Sequence, residues 1–202
     1  MIDADDESCF LDADDESSIY RYERNVRMLR GERILLRPVK HSDLAQLQAW
    51  VNDAQFLSEY GTFGLTPTEQ LERSFTENGL LTERHGILLI VLAEGGELLG
   101  DITYHKVRHG PNEGSTAYNI GTTLAPEHRY KGYGLEAKTL LVQYLFNTYP
   151  IVRVEAATDV ENLAAQRGLE KAGFTREGVL RKAQWRNGQW HDVVIYSKLR
   201  GE

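Results

Sequence analysis

The stretch Pro126–Ala137, PEHRYKGYGLEA, sets two glycines (Gly132, Gly134) and two cations (Arg129, Lys131) directly before an apolar run. A helix start leaves backbone N–H groups without partners and carries roughly half a positive charge. Glycine there lets an anion approach the backbone, because no side chain intervenes. The stretch therefore points to a phosphate-bearing ligand. A nucleotide P-loop is excluded, since no second glycine is followed by Lys and then Ser or Thr.

Downstream, LEAKTLLVQYLFN repeats Leu140, Leu141, Tyr144 and Leu145 at helical spacing. IVRVEAAT (Ile151–Thr158) reads as a strand, and ENLAAQRGLEKAG as a helix closed by Gly173. FTREGVLRKAQW and QWHDVVIYSKL flank Asn187-Gly188, a strong hairpin signal. Upstream, STAYNIGTTLA and ELLGDITYHKV read as strands, and Gly95-Gly96 turns the chain back from a buried strand at Ile87–Ala93. One helix is predicted from Thr66-Pro67 toward Asn78. Another carries Leu44, Leu47, Trp50 and Val51, with Ser42 as its cap. ILLRP, Ile34–Pro38, is a strand ended by proline. The order β-α-α-β-β-β-α-β-α-β-β predicts a mixed α/β sheet with helices on both faces.

The net charge of −7 belongs to the beginning of the chain. The first twenty residues hold eight acids and no base, in two copies of DADDES at Asp3–Ser8 and Asp12–Ser17. Without them the remainder is +1, so bulk charge gives no argument for nucleic acid. The repeats lack the glycine turn and closing glutamate of a calcium hand, and no metal is expected. Residues 1–30 read as an acidic, disordered tail and linker, with further arginines at 21, 24, 27 and 30, and residues 31–202 as one domain. The single cysteine, Cys9, lies in that tail and forms no internal disulfide. With no signal peptide and no membrane-length apolar run, a cytoplasmic protein is expected.

The order and motifs resemble the GNAT superfamily of acyl-CoA-dependent N-acyltransferases. The family signature, Arg or Gln, two residues, Gly, one residue, then Gly or Ala, is matched by Arg129-Tyr130-Lys131-Gly132-Tyr133-Gly134. Leu135-Glu136-Ala137 and Asn162-Leu163-Ala164-Ala165 leading to Glu170–Phe174 are also similar to the superfamily, and Leu36–Pro38, Trp50 and Asn187-Gly188…Asp192…Tyr196 look like the branch that includes ribosomal-protein N-terminal (alanine) acetyltransferases. The resemblance covers about Arg33 to Leu199. It implies a mostly antiparallel sheet of about seven strands with one splayed pair. It implies acetyl-CoA as acyl donor, held by Thr123, Leu124, Ala125, Arg129, Tyr130, Lys131, Gly132, Tyr133, Gly134 and Asn162. Asn162 serves equally well as a helix cap.

The resemblance implies transfer to a primary amine of a small molecule or protein N-terminus, by direct attack in a ternary complex. Three positions depart from the family. Ala165 stands where many relatives carry a serine, Leu169 where many carry an acidic tyrosine, and Asn119 where many carry a basic glutamate. The remaining catalytic candidates are Asn119, His105 and Tyr118, and either Tyr118 or Asn119 faces the cleft because neighbours alternate along a strand. Trp50, Tyr60, Tyr104, Trp185 and Asp192 are candidates for the acceptor pocket, although core packing accounts equally well for most of the aromatics, and Asp192 is an alternative partner for Arg186. A transferase using an aminoacyl-tRNA or carrier-protein donor, and a non-catalytic acyl-CoA-binding module, are the rival functions. Nucleic acid enters only if the donor is a tRNA, no membrane partner is expected, and a homodimer is compatible with the resemblance.

Overall fold

The computed structural model describes residues 29–202. The readings on the acidic tail, Cys9 and the arginines at 21, 24 and 27 lie outside the described residues. The elements run β1 (Ile34–Pro38), α1 (Leu44–Val51), α2 (Ala54–Gly61), α3 (Thr68–Asn78), β2 (His85–Leu92), β3 (Leu98–Arg108), β4 (Thr116–Leu124), α4 (Tyr133–Thr148), β5 (Arg153–Asp159), α5 (Leu163–Lys171), β6 (Thr175–Arg186) and β7 (Gln189–Leu199). They build a seven-stranded sheet in the order β1-β2-β3-β4-β5-β7-β6. Every neighbouring pair is antiparallel except β4 with β5.

Both faces are covered, as the alternation of elements predicts. On one face Leu140, Leu141 and Leu145 of α4 and Leu169 of α5 pack with Ile102, Tyr104, Tyr118, Ile120 and Val154 of the sheet. On the other, Leu44, Leu47 and Trp50 of α1 and Phe56 of α2 pack with Leu89, Val91 and Ala125. Burial of such side chains contributes about 25 cal/mol per Å² of apolar surface removed from water.

Two local readings are corrected. Ser42 does not cap the first helix, because residues 41–43 form a short 3-10 turn ahead of α1. Asp43 holds that corner instead, accepting from Lys40 N at 2.7 Å and from both Arg37 amino groups at 2.6 and 2.9 Å. Burial alone would raise its pKa, but these partners hold the carboxyl below its ordinary range. The second correction is α2, an additional helix. The chain leaves α1 at Asn52 and restarts because Asp53 Oδ1 accepts from Gln55 N at 2.8 Å. The Asn187-Gly188 hairpin forms as predicted, with both residues at positive φ.

Candidate active site

The parallel pair β4–β5 opens into a fork. Only Tyr118↔Val154 and Asn119↔Glu155 are in register. Beyond them β4 continues to Leu124, paired only with β3, and β5 continues to Asp159, paired only with β7. Their facing edges present backbone donors and acceptors without a strand partner, which an extended amide-bearing chain can satisfy as a strand would.

The loop of the opening motif closes the wide end of this fork. Gly132 has φ +88° and Tyr130 φ +61°, so the chain turns sharply into α4, whose start has no side-chain cap. Tyr130 is 91% exposed. Arg129 is a structural clamp in this state: Nε donates to Leu124 O at 2.9 Å, and Nη2 to Gln55 O and Phe56 O at 2.7 and 2.8 Å. It ties the loop to β4 and α2. Sequence reasoning missed Arg33. It donates Nη1 to Lys131 O at 2.8 Å, pairs with Glu136 at 3.2 Å and lies 5.0 Å from the Tyr133 ring centre. A Cβ on Gly132 would stand 3.0 Å from Arg33 Nη2, so this guanidinium borders the cradle. Asn162 Oδ1 accepts from Ala165 N at 3.1 Å and caps α5.

At the closed end of the fork the two candidates on β4 separate. Tyr118 is buried against α4, and its hydroxyl donates to Glu83 O at 2.8 Å. Tyr104 likewise donates to Thr82 O at 2.7 Å. Burial, first of all, raises both phenols above their ordinary pKa. These two tyrosines belong to the core, not to the open side. Asn119 takes the opposite face, in register with His105 on β3 and Glu155 on β5, so the three share that face.

Glu155 and His109 are further polar groups there. His109 Nε2 lies 2.5 Å from Glu155 Oε1, and Arg153 pairs with both Glu155 and Glu177. The Arg153 hydrogen bond, with help from Ser197, holds Glu177 down at about 2. The available signal for Glu155 was a lone acid inside the apolar strand Val154–Ala157. His109 had none, since it follows β3 in a loop.

At the far end of β5, Asp159 and Arg186 form a buried pair. His191 Nδ1 stands 3.0 Å from Asp159 Oδ2, and Asp159 Oδ1 accepts from Glu161 N at 2.8 Å. Asp159, Glu161 and His191 bring ligating atoms within 4.8 Å of one another, but the cation of this cluster is the Arg186 guanidinium. That guanidinium lies 5.6 Å from the Tyr60 ring centre and 5.9 Å from that of Phe63. Arg186 therefore pairs with Asp159 and not with Asp192, whose Oδ1 accepts from Lys182 N at 2.8 Å in the bulge of β6. Trp50 is core, stacked on Phe56 at 4.4 Å. Trp185 and Trp190 meet edge to face on the exposed hairpin. Of the aromatic candidates for an acceptor pocket, Tyr60 is the one beside the fork's rim, its hydroxyl 3.4 Å from Glu161 O.

A seven-stranded sheet forked at its one parallel pair, with a glycine-turned helix start at the open end, defines an acyl-CoA transferase fold. Residues 33–175 match the family model described as "Acetyltransferase (GNAT) domain". The chain belongs to this family and is an N-acetyltransferase. It is 30% identical to the probable N-acetyltransferase YjcK of Bacillus subtilis over 85% of this chain and 97% of that protein. A GNAT-family acetyltransferase structure from Bacillus anthracis superposes with a TM-score of 0.70 at 25% identity, over 86% of this chain and 99% of the other. The ribosomal L7/L12 α-N-protein acetyltransferase RimL, solved with coenzyme A, shares the fold with a TM-score of 0.70 at 22% identity, over 84% and 95% of the two chains. No described helix is long and apolar enough to cross a membrane.

Proposed function

We propose that this enzyme acetylates a primary amine, on a small molecule or a protein N-terminus, by direct transfer in a ternary complex within the β4–β5 fork. The observation that carries this reading is the fork itself, two paired positions followed by two unpaired strand edges under the α4 start. The residues fit the cosubstrate. Gly132–Gly134 present amides to a diphosphate. Thr123, Leu124 and Ala125, at the end of β4, are the residues assigned to the amide arm in this reading; Leu124 O accepts from Arg129 Nε, and Ala125 N donates to Leu99 O. Thr122 Oγ1 is buried within the same stretch of β4 without a hydrogen-bond partner. Bound acetyl-CoA supplies an acyl group already activated as a thioester.

The chain's own groups position and desolvate. Asn119 and the last paired backbone of β4 mark the point where the acyl carbon must sit, and a backbone amide there stabilises the developing oxyanion. The acceptor approaches from the face shared by Asn119, His105 and Glu155, past Tyr60 and Phe63. The chain's single cysteine, Cys9, is flanked in the sequence by carboxylates that disfavour its thiolate, which favours transfer without an acyl-enzyme. A cytoplasmic setting, where acetyl-CoA is available, suits the reading.

Two measurements test it. With acetyl-CoA and a panel of amines, thiol release should require an amine; CoA binding without release for any amine would point to a silent module. The second is the pH profile. Asn119 cannot accept a proton, and Glu155 is already held by Arg153 and His109. The enzyme should therefore depend on amine that arrives neutral. An α-amino group titrates near pH 8 and a lysine amine near 10.4, so roughly a tenth of the first but about one in a few thousand of the second is neutral at pH 7. Across amines of similar shape, kcat/KM should rise along each amine's own titration. A profile fixed near pH 6–7 for all of them would instead identify an enzyme base, with His105 and His109 the groups to substitute.

A further inference from the structure

The inner side of α4 carries a lysine among apolar residues. Lys138 follows Ala137 and precedes Leu141 and Val142, all three buried. Its Nζ donates to Gly134 O at 3.3 Å, a carbonyl that the helix ladder already uses. A Cβ added to Gly134 would stand 3.6 Å from this nitrogen, 3.5 Å from Leu124 Cδ1 and 3.9 Å from Thr122 Cγ2. One added to Gly168 would stand 3.9 Å from it. The ammonium thus lies where the first turn of α4, the middle of α5 and the splayed half of β4 converge, and glycines on both helices leave it room. Burial alone pulls its pKa down to about 8. No charged group contributes to that shift, and Gly134, Thr122, Leu124 and Gly168 border the same point. Thr122, whose methyl borders the same point, keeps its Oγ1 buried without a partner.

A half-satisfied ammonium and an orphan hydroxyl that both border the first turn of α4 cost stability in the free protein. Both costs are relieved by one oxygen-rich chain passing through the fork. We propose that Lys138 is a cosubstrate-recognition residue, its Nζ donating to an oxygen of the pantetheine–diphosphate chain with Thr122 Oγ1 as a second polar contact. This inference rests on the reading of the fork as the acyl-CoA site. Binding then stabilises the protonated amine, so the protein takes up a proton when CoA binds near pH 8, and affinity declines as pH rises above that value.

The test is calorimetric titration of CoA into wild type, Lys138→Met and Thr122→Val, at pH 8 in two buffers of different ionisation enthalpy. Wild type should take up a fraction of a proton and bind roughly tenfold more weakly at pH 9.5 than at pH 7.5, since one unit of linked pKa shift is tenfold. Lys138→Met should bind CoA at least about tenfold more weakly, with no proton uptake, while its own melting temperature equals or exceeds that of wild type. Thr122→Val should lose affinity and keep the proton uptake. Wild-type affinity that is flat from pH 7.5 to 9.5, or Lys138→Met binding with unchanged affinity and uptake, overturns the role of Lys138 and leaves the fork as the CoA site. Failure of wild type to bind CoA at any pH would remove the fork reading itself, and this inference with it.

Discussion

Gly134→Glu is expected to abolish CoA binding while leaving the fold as stable as before or more so. Gly134 is the second residue of α4, and a Cβ there meets its three neighbours at 3.5–3.9 Å, ordinary contact distances. Replacing glycine inside a helix removes a conformational cost of about 0.5–1 kcal/mol. A carboxylate in the first turn also complements the helix dipole, worth about 0.3–1 kcal/mol. It stands four residues before Lys138, the favourable orientation for an ion pair along a helix. Every local term therefore favours the folded protein. The same carboxylate lies in the concavity where a diphosphate would sit, adding bulk and like charge. CoA affinity should fall at least a hundredfold, ~3 kcal/mol, with thermal midpoint and circular dichroism at or above wild type. Gly132→Asp is the weaker design, since its φ of +88° and the Arg33 contact at 3.0 Å penalise any side chain. Unchanged CoA affinity in Gly134→Glu would place the diphosphate elsewhere.

The parts of this molecule visible in its sequence are those fixed by local chemistry. The glycine pair, the Asn187-Gly188 turn and the 3.6-residue period of α4 each state their conformation within a few residues, and the alternation of elements yields a sheet covered on both faces. Helix α2 was not legible. Its start depends on Asp53 capping Gln55 directly after another helix, and Ser58, at φ 61°, interrupts it. The site was half legible for a similar reason. The loop and β4 edge are contiguous in sequence, whereas the polar groups beside them come from distant segments. Arg33 reaches the loop from ahead of β1, and His109 reaches Glu155 across 46 positions. Asp192 stood as an alternative partner of Arg186, beside a place in the acceptor pocket, because both residues lie on one hairpin. The register set by the bulge of β6 sends Asp192 to Lys182 N, and leaves Arg186 to the end of β5.

That junction carries the second large effect. Arg186→Met should destabilise the protein by about 3–5 kcal/mol, the cost of removing one partner from a buried ion pair. Arg186 and Asp159 are each about 3% exposed, and the pair fastens the β6–β7 hairpin to the tip of β5 while supporting Tyr60 and Phe63 from below. Burial pushes the Asp159 carboxyl up, but the Glu161 amide, Arg186 and His191 together hold it below its ordinary value. A carboxyl depressed on folding contributes stability that is present above its unfolded pKa, near 3.9, and is lost as pH falls through the folded value. In Arg186→Met the largest of the opposing side-chain contacts is gone and burial remains, so the carboxyl shifts upward. The destabilisation should then be greatest near neutral pH and shrink as the medium is acidified toward pH 5, where wild type shows no gain. Asp159→Leu combined with Arg186→Met removes both charges, and should recover most of the loss, because a well-packed apolar pair of similar volume replaces a buried ion pair at little cost. Chemical denaturation of the two variants at pH 5 and 7 measures all of this. Equal losses in the single and double variants would mean that the guanidinium acts through its packing beneath Tyr60 and Phe63, with the charge of Asp159 of no consequence to the hairpin.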